Sequence, residues 1–214
     1  MTTATPAIAS SPIPIAAFDF DGTISDRDSL KDFARFAAGW PRYASACLRT
    51  APTAILWACG LRTRQETKAA FLARCLRGLS RGQLSELAQH YAAHRLPRLI
   101  RPDMRARIQA HQQQGHRLVL VSASVSLYLQ PWAQATGFDA VLATELAYAN
   151  DTFQGEFATP NCWGAEKVRR LSQWLGTPAP KLTYAYGDSR GDREMLAQAQ
   201  HPWLRGKHAE FPPL

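Results

Sequence analysis

Short apolar runs alternate along the chain with longer stretches in which apolar residues recur every three or four positions. The runs at 15–20 ("IAAFDF"), 116–124 ("HRLVLVSAS"), 140–148 ("AVLATELAY") and 182–189 ("LTYAYGDS") predict buried strands. "HPWLRG", residues 201–206, predicts a last one, and "YANDTFQGEF" a hairpin turning near Asn150–Asp151. The three- and four-residue spacing predicts helices over 29–40, 64–79, 80–99 and 101–115, all between the first two strands. Ser80 has the chemistry of an N-cap and Gly115 that of a C-terminal stop. Further helices are predicted at 125–137, with Pro131 early or at a kink, at 164–176, ending on Gly176, and at 193–200.

Strands alternating with helices predict an α/β fold with a parallel sheet and right-handed crossovers. The all-helical block after the first strand is too long for a crossover. It predicts an inserted helical cap over 28–105, with the α/β core formed by 15–27 and 106–214. Residues 1–14, "MTTATPAIASSPIP", lack the basic and long apolar regions of a signal peptide and predict a disordered tail.

Composition narrows the class. The 214 residues are 46% hydrophobic and 20% charged, which suits a soluble globular chain. Cys47, Cys59, Cys75 and Cys162 form no CxxC pair, which argues against a zinc site or disulfide framework and for a reducing, cytoplasmic setting. The net charge of +8 is uneven: residues 25–105 hold fifteen Lys and Arg against six Asp and Glu, and the remainder nets −1. That excess hints at an anionic ligand or is simply a solvated basic surface. The apolar run 51–61, "APTAILWACGL", is too short to span a bilayer. It predicts a core helix of a small bundle; its arginine flanks and Trp57 also suit peripheral contact with a membrane.

The candidate chemistry lies at the strand ends. Ligands in open parallel sheets bind beyond the carboxyl ends of the strands. Asp19 and Asp21 follow the first strand, Ser122 ends the second, Asp188 and Asp192 follow the fourth, and Lys167 begins a helix between them. Crowded carboxylates need a cation or a shared proton. Oxygen ligands in a phosphate-handling site suit Mg²⁺. A carboxylate can also attack phosphorus and form an aspartyl-phosphate. Gly22 frees the backbone to bring amide groups toward a phosphate, and Thr23, Ser122 and Lys167 can hold its oxygens.

"FDFDGTIS" resembles the first motif of the haloacid dehalogenase superfamily, DxDx[TS]. "VLVSAS" is similar to its second motif, "GAEKVRRL" to its lysine motif and "YGDSRGDREM" to its acidic GDxxxD motif. All four occur in order over residues 15–196. The resemblance implies a Rossmann-like core carrying the helical C1-type cap of the phosphoserine-phosphatase-like branch (subclass IB). It implies a Mg²⁺-dependent phosphatase acting on a small phosphomonoester: phosphoserine-like, histidinol phosphate, or a lipid head-group phosphate. Asp19 would be nucleophile and metal ligand. Asp21 would be the general acid/base and would bind the metal through its carbonyl. Asp188 and Asp192 would complete the metal shell, and Ser122 and Lys167, with Gly22, Thr23 and Ala123, would bind the phosphoryl group. Asp28 stands where the branch reads its substrate, and also suits a helix N-cap.

The branch's Gly-Gly after the second-motif serine is Ala123-Ser124 here, and its Asn before the last aspartate is Gly191. Its cap arginine has no clear counterpart, Arg74 and Arg77 being only near that region. Transfer to an alcohol acceptor is an alternative outcome of the same chemistry. A basic nucleic-acid module is a remote one, since no such motif is present and no nucleic-acid partner is expected. Receiver domains share strand-end aspartates but lack the insert. His90 and His94, one turn apart, read as surface or core histidines; Trp40, Tyr43 and Trp57 read as cap core.

Overall fold

The computed structural model describes residues 13–177 and 181–214, so nearly all of the tail expected over 1–14 lies outside the described residues. Five strands form one parallel sheet in the order β3-β2-β1-β6-β7: β1 (Ile15–Phe18), β2 (Arg117–Val125), β3 (Ala140–Thr144), β6 (Leu182–Gly187) and β7 (Ala199–Leu204). β1 and β2 run in register from Ile15 opposite Arg117 to Phe18 opposite Leu120. The strands are apolar on both faces because helices cover both. Ile15, Ala17, Val119, Val121 and Ala185 face α7 (Ala165–Leu175) and α8 (Arg193–Leu196). Ala16, Phe18, Leu120 and Tyr186 face α5 (Pro102–Gln113) and α6 (Ser126–Ala135), in a core that continues into the helices inserted after β1.

That insert comprises α1 (Ser29–Ala38), α2 (Trp40–Ala58), α3 (Arg64–Leu76) and α4 (Arg81–His94). Its punctuation is local. Gly39 takes a φ of 73° between α1 and α2, and Thr63 and Ser80 close capping boxes with Glu66 and Gln83. Gly115 ends the turn after α5 with a φ of 69°.

Three expectations are corrected. The stretch 140–148 is two strands, not one: β3 ends at Thr144, and β4 (Leu146–Ala149) pairs antiparallel with β5 (Thr152–Phe157) in a separate hairpin. The hairpin turns through Asn150 and Asp151, both left-handed, where the sequence places it. It is laced to the segment joining α3 to α4 by Gly78 N–H to Phe153 O (3.1 Å), Phe153 N–H to Leu79 O (3.0 Å) and Arg81 N–H to Asp151 O (2.8 Å). β7 begins at Ala199, two residues before the expected strand, so the helix expected over 193–200 ends at Leu196. Finally, α2 is not a core helix over 51–61. Trp40 and Trp57 are exposed rather than part of a cap core, while Tyr43 packs edge-on against Phe71.

Beneath the sheet, His111 is fully buried between Tyr186, whose hydroxyl lies 2.8 Å from Nε2, and His116, whose Nδ1 lies 2.8 Å from its own Nδ1. Burial, with Arg107 and His116 adding to it, pushes the His111 imidazole down to about 3. The folded state therefore holds His111 neutral where the unfolded chain protonates it. The associated stability is complete above the ordinary histidine value and is lost as pH falls from there toward 3. Wild-type unfolding free energy, measured in urea, is expected to drop by about 2 kcal/mol more between about pH 7 and about pH 5 than that of His111→Gln. Equal slopes would show that His111 is not the group responsible.

Candidate active site

β1 stops at Phe18 and the chain turns at once. Asp19 N–H still donates to Tyr186 O (2.9 Å), so Asp19 leaves the sheet between β2 and β6. The following loop is braced from outside: Asp26 N–H donates to Leu99 O (2.8 Å) and Arg101 N–H to Ile24 O (2.9 Å). Gly22 has a φ of 83°, and a Cβ there would sit 2.2 Å from Asp188 Oδ2. Only glycine permits both that conformation and that approach. Thr23 then places its hydroxyl 3.0 Å from Asp19 Oδ2 and 3.5 Å from Asp188 Oδ1.

Lys167 enters from the first turn of α7, which starts after Gly164, itself held by Gly191 O at 3.0 Å. The Lys167 ammonium is buried and donates to Asp19 Oδ1 (2.5 Å), Asp192 Oδ1 (2.6 Å) and Val121 O (2.8 Å). Burial favours loss of its proton, but the two carboxylates outweigh it and hold the pKa above the ordinary lysine value. Asp192 resists burial through that same ammonium and through its hydrogen bonds, and is held below the ordinary carboxylate value. Its second oxygen accepts from Asp188 N–H (3.2 Å), Ser189 N–H (3.0 Å) and Ser189 Oγ–H (2.9 Å). Asp192 is thus largely spent on fixing Lys167 and the turn that carries Asp188.

The remaining carboxylates lack such compensation. Burial pushes Asp19 up to about 7 against the pull of Lys167. Burial likewise raises Asp188, helped by Asp192, and raises Asp21, helped by Asp28. Asp21 is fixed by Ser29 N–H on Oδ1 (2.7 Å) and by the Ser124 hydroxyl on Oδ2. Ser122 is buried and accepts from Ser124 N–H (3.1 Å).

The fold therefore gathers Asp19, Gly22, Thr23, Lys167, Asp188 and Asp192 directly, with Asp21 and Ser122 joined through Ser124. Asp28 stands apart. It N-caps α1 through Lys31 N–H (3.1 Å) and pairs with the Lys31 ammonium (3.2 Å). The Ala123 carbonyl accepts from Thr144 Oγ–H (2.9 Å) and from Lys68. His90 and His94 are exposed on α4, His90 stacked on Phe36.

Two residues at the site escape sequence reasoning. Ser124 is visible there only as a departure from a glycine. Lys68 is the single lysine of α3, and nothing in its local spacing marks it off from the helix's other polar positions. Yet its ammonium reaches from α3 to Ala123 O and to Asn161 Oδ1 (3.1 Å). Burial, with Arg64 adding to it, pulls its pKa down to about 8 although Asp21 attracts the charge.

Asp19, Asp188 and Asp192 each bring one carboxylate oxygen within 4.8 Å of the others. Asp19 and Asp192 share the enclosed Lys167 ammonium, and burial raises Asp19, Asp21 and Asp188. An all-oxygen donor set short of positive charge fits a hard divalent cation.

The family model for haloacid dehalogenase-like hydrolases matches residues 16–197. Protein CicA of Caulobacter vibrioides is 37% identical over 192 residues, covering 89% of this chain and 85% of that protein. Histidinol-phosphatase of Neisseria meningitidis serogroup C is 27% identical over 224 residues, covering 92% of each. A substrate-bound phosphoserine phosphatase structure superposes with a TM-score of 0.64 at 14% identity, covering 91% of this chain and 87% of that one, a likeness of fold. With the matched model and a relative of this identity spanning most of its length, the chain belongs to the haloacid dehalogenase-like hydrolase family.

Proposed function

We propose that the chain is a Mg²⁺-dependent phosphomonoester phosphatase that works through phospho-Asp19. The observation that carries this is the pairing of Asp19 Oδ1 with Lys167 at 2.5 Å, beside an aspartate, Asp21, held two residues away by separate donors. An Asp19 oxygen attacks phosphorus while the bond from phosphorus to the substrate's alcohol oxygen breaks. Asp21, its pKa raised by burial, gives its proton to the departing oxygen. The same carboxylate then takes a proton from water, whose oxygen attacks the phosphorus of phospho-Asp19. Inorganic phosphate leaves and Asp19 is regenerated.

Lys167 stays protonated throughout and offsets charge on the phosphoryl oxygens, with the Thr23 and Ser122 hydroxyls as further donors. Bound at Asp19, Asp188 and the Asp21 carbonyl, Mg²⁺ would neutralise phosphoryl charge and hold Asp19 ionised. Asp192 would act by orienting Lys167 and Asp188.

Residues 28–105 act as the cap that selects substrate and excludes water. The β4–β5 hairpin goes with them, since its hydrogen bonds run to the α3–α4 segment. Lys68 is the cap's cation at the site, and it suits a small phosphomonoester carrying a second anionic group. Asp28, committed to its N-cap, is less available for a substrate amine. The histidinol-phosphatase likeness supports a phosphatase acting on a small alcohol phosphate. Four free thiols suit a cytoplasmic enzyme.

Four outcomes test this. A phosphomonoester screen is expected to show phosphate release that needs Mg²⁺, stops with chelator, and falls on the order of 10³-fold or more in Asp19→Asn. Added acceptor alcohols are expected to leave phosphate release unchanged; diversion to a phosphorylated alcohol would make the enzyme a transferase. Lys68→Met is expected to raise KM roughly tenfold for substrates with a second anionic group while kcat holds within about twofold. An unchanged KM would remove Lys68 from recognition. Ser124→Ala deletes a hydrogen bond that stabilises the Asp21 carboxylate. The Asp21-dependent limb of the pH–rate profile is expected to move up by about one pH unit. A fixed limb would show that Ser124 does not tune Asp21.

A further inference from the structure

Helix α2 is inside out. Its buried positions are the small residues Ala46 and Thr50, the latter bonding its hydroxyl back to Ala46 O at 2.7 Å. Its exposed side carries the large apolar residues: Leu48 is 77% exposed and Ile55 63%. Leu48, Pro52, Ile55 and Cys59 follow one another by four, three and four residues, so they form one continuous stripe. Leu56 borders it, and Trp57 and Leu61 extend the apolar surface where the helix runs out. Solvated helices place such residues on the other face.

The charge around the stripe has one sign. No acidic residue occurs between Asp32 and Glu66, a span holding five arginines. Arg42, Arg49 and Leu56 lie seven residues apart, so the arginines edge the stripe. Arg42 also lines, with Arg74 and Arg77 of the α3 side, an open concavity of about 520 Å³. Among the described residues, none of Arg42, Arg49, Arg62, Arg64, Arg74 and Arg77 pairs with a carboxylate.

We infer that the α2 face is a docking surface for an anionic lipid bilayer. Aliphatic side chains in a row suit the acyl boundary, and a rim of arginines suits anionic head groups. Nucleic acid matches the arginines but not Leu48 and Ile55, which offer neither stacking faces nor hydrogen bonds. A second copy docked on the same face would set arginine against arginine. The helix does not cross the membrane: no described helix is long and apolar enough. The surface is separate from the hydrolytic residues, so it concerns where the enzyme works and holds whichever phosphomonoester it takes.

The test is flotation of the full chain with vesicles containing about 30% phosphatidylglycerol, and with pure phosphatidylcholine, at about 100 mM and about 500 mM salt. Binding is expected to the anionic vesicles only and to weaken at the higher salt. Leu48→Ser/Ile55→Ser is expected to weaken it at least fivefold. Arg49→Gln/Arg62→Gln removes two exposed charges and is expected to weaken it by roughly fivefold per arginine. Thermal unfolding followed by circular dichroism, unchanged in both variants, would show that they fold. Should the first variant unfold, the arginine variant decides alone. The proposal is overturned by a chain that stays in solution with anionic vesicles at the lower salt, by variants that fold and bind like wild type, by tighter binding to single-stranded RNA than to vesicles, or by a dimer that buries the stripe.

Discussion

The site is organised by one buried ammonium. Lys167 has no contact with water and is held by two carboxylates and a carbonyl. A charge so placed is tolerable only while its partners are present, since removing one leaves the other uncompensated in a low-dielectric interior. This constraint reaches outward. Asp192 must stand close under β6, and Gly187 allows it, because a Cβ there would lie 2.5 Å from that of Asp192. α7 must begin where Lys167 faces inward, which Gly164 and its bond to Gly191 O arrange. Gly191 in turn carries no side chain because a Cβ would lie 2.1 Å from Trp163 Nε1. The asparagine usual in the related branch would not fit that contact without movement of the indole.

On the proposed reading, chemistry and selection divide between two parts of the fold. The sheet's carboxyl edge supplies rigid groups: Asp19 and Asp188 follow β1 and β6, and Ser122 lies within β2 near its end. The helical insert supplies Lys68, whose ammonium is met by Ala123 O from the sheet and by Asn161 from the loop after β5. Asn161 N–H returns to Gln65 Oε1 on α3 at 2.9 Å, so the insert and that loop hold one another at the site. A substrate that displaced the Lys68 ammonium from these carbonyl acceptors would bind at the seam between the parts. Ser124 sits on the same seam, gripping Asp21 from the strand side while Ser29, at the first turn of α1, grips it from the other.

What the sequence made legible follows from range. The N-cap at Ser80, the stop at Gly115 and the hairpin turn at Asn150–Asp151 are set by a few neighbouring residues, and they appear where the sequence places them. Asp19, Asp21 and Asp188 were legible because they fall within a few residues of a strand end, and Asp192 because it lies one short turn beyond Asp188. The 140–148 stretch misled because strand-like apolar residues resume straight after Thr144 and Glu145, and two polar residues alone do not announce that the chain changes sheets there. The run 51–61 misled for the opposite reason: its apolar character is real, but which side of a helix is buried depends on partners far away, here α3. Lys68 and Ser124 become site residues only through contacts across more than fifty and one hundred positions. No pattern within either segment encodes them.

The direction of the pKa shifts ties the parts together. Lys167 and Asp192 satisfy each other, which leaves Asp19, Asp21 and Asp188 raised by burial with too little positive charge among them. Such a site is destabilised as long as it stays short of positive charge, and anything cationic that enters binds the folded state alone, adding its binding free energy to the fold. The Lys68 ammonium, itself weakened by burial, is taken up by Ala123 O and Asn161 Oδ1 rather than by a carboxylate, so it does not supply the deficit. On the proposed reading a divalent cation would supply it from solution, and Asp19 would then keep the carboxylate form in which its oxygen can attack phosphorus. The burial that raises Asp19 would in that case make ionisation of the nucleophile conditional on the cation.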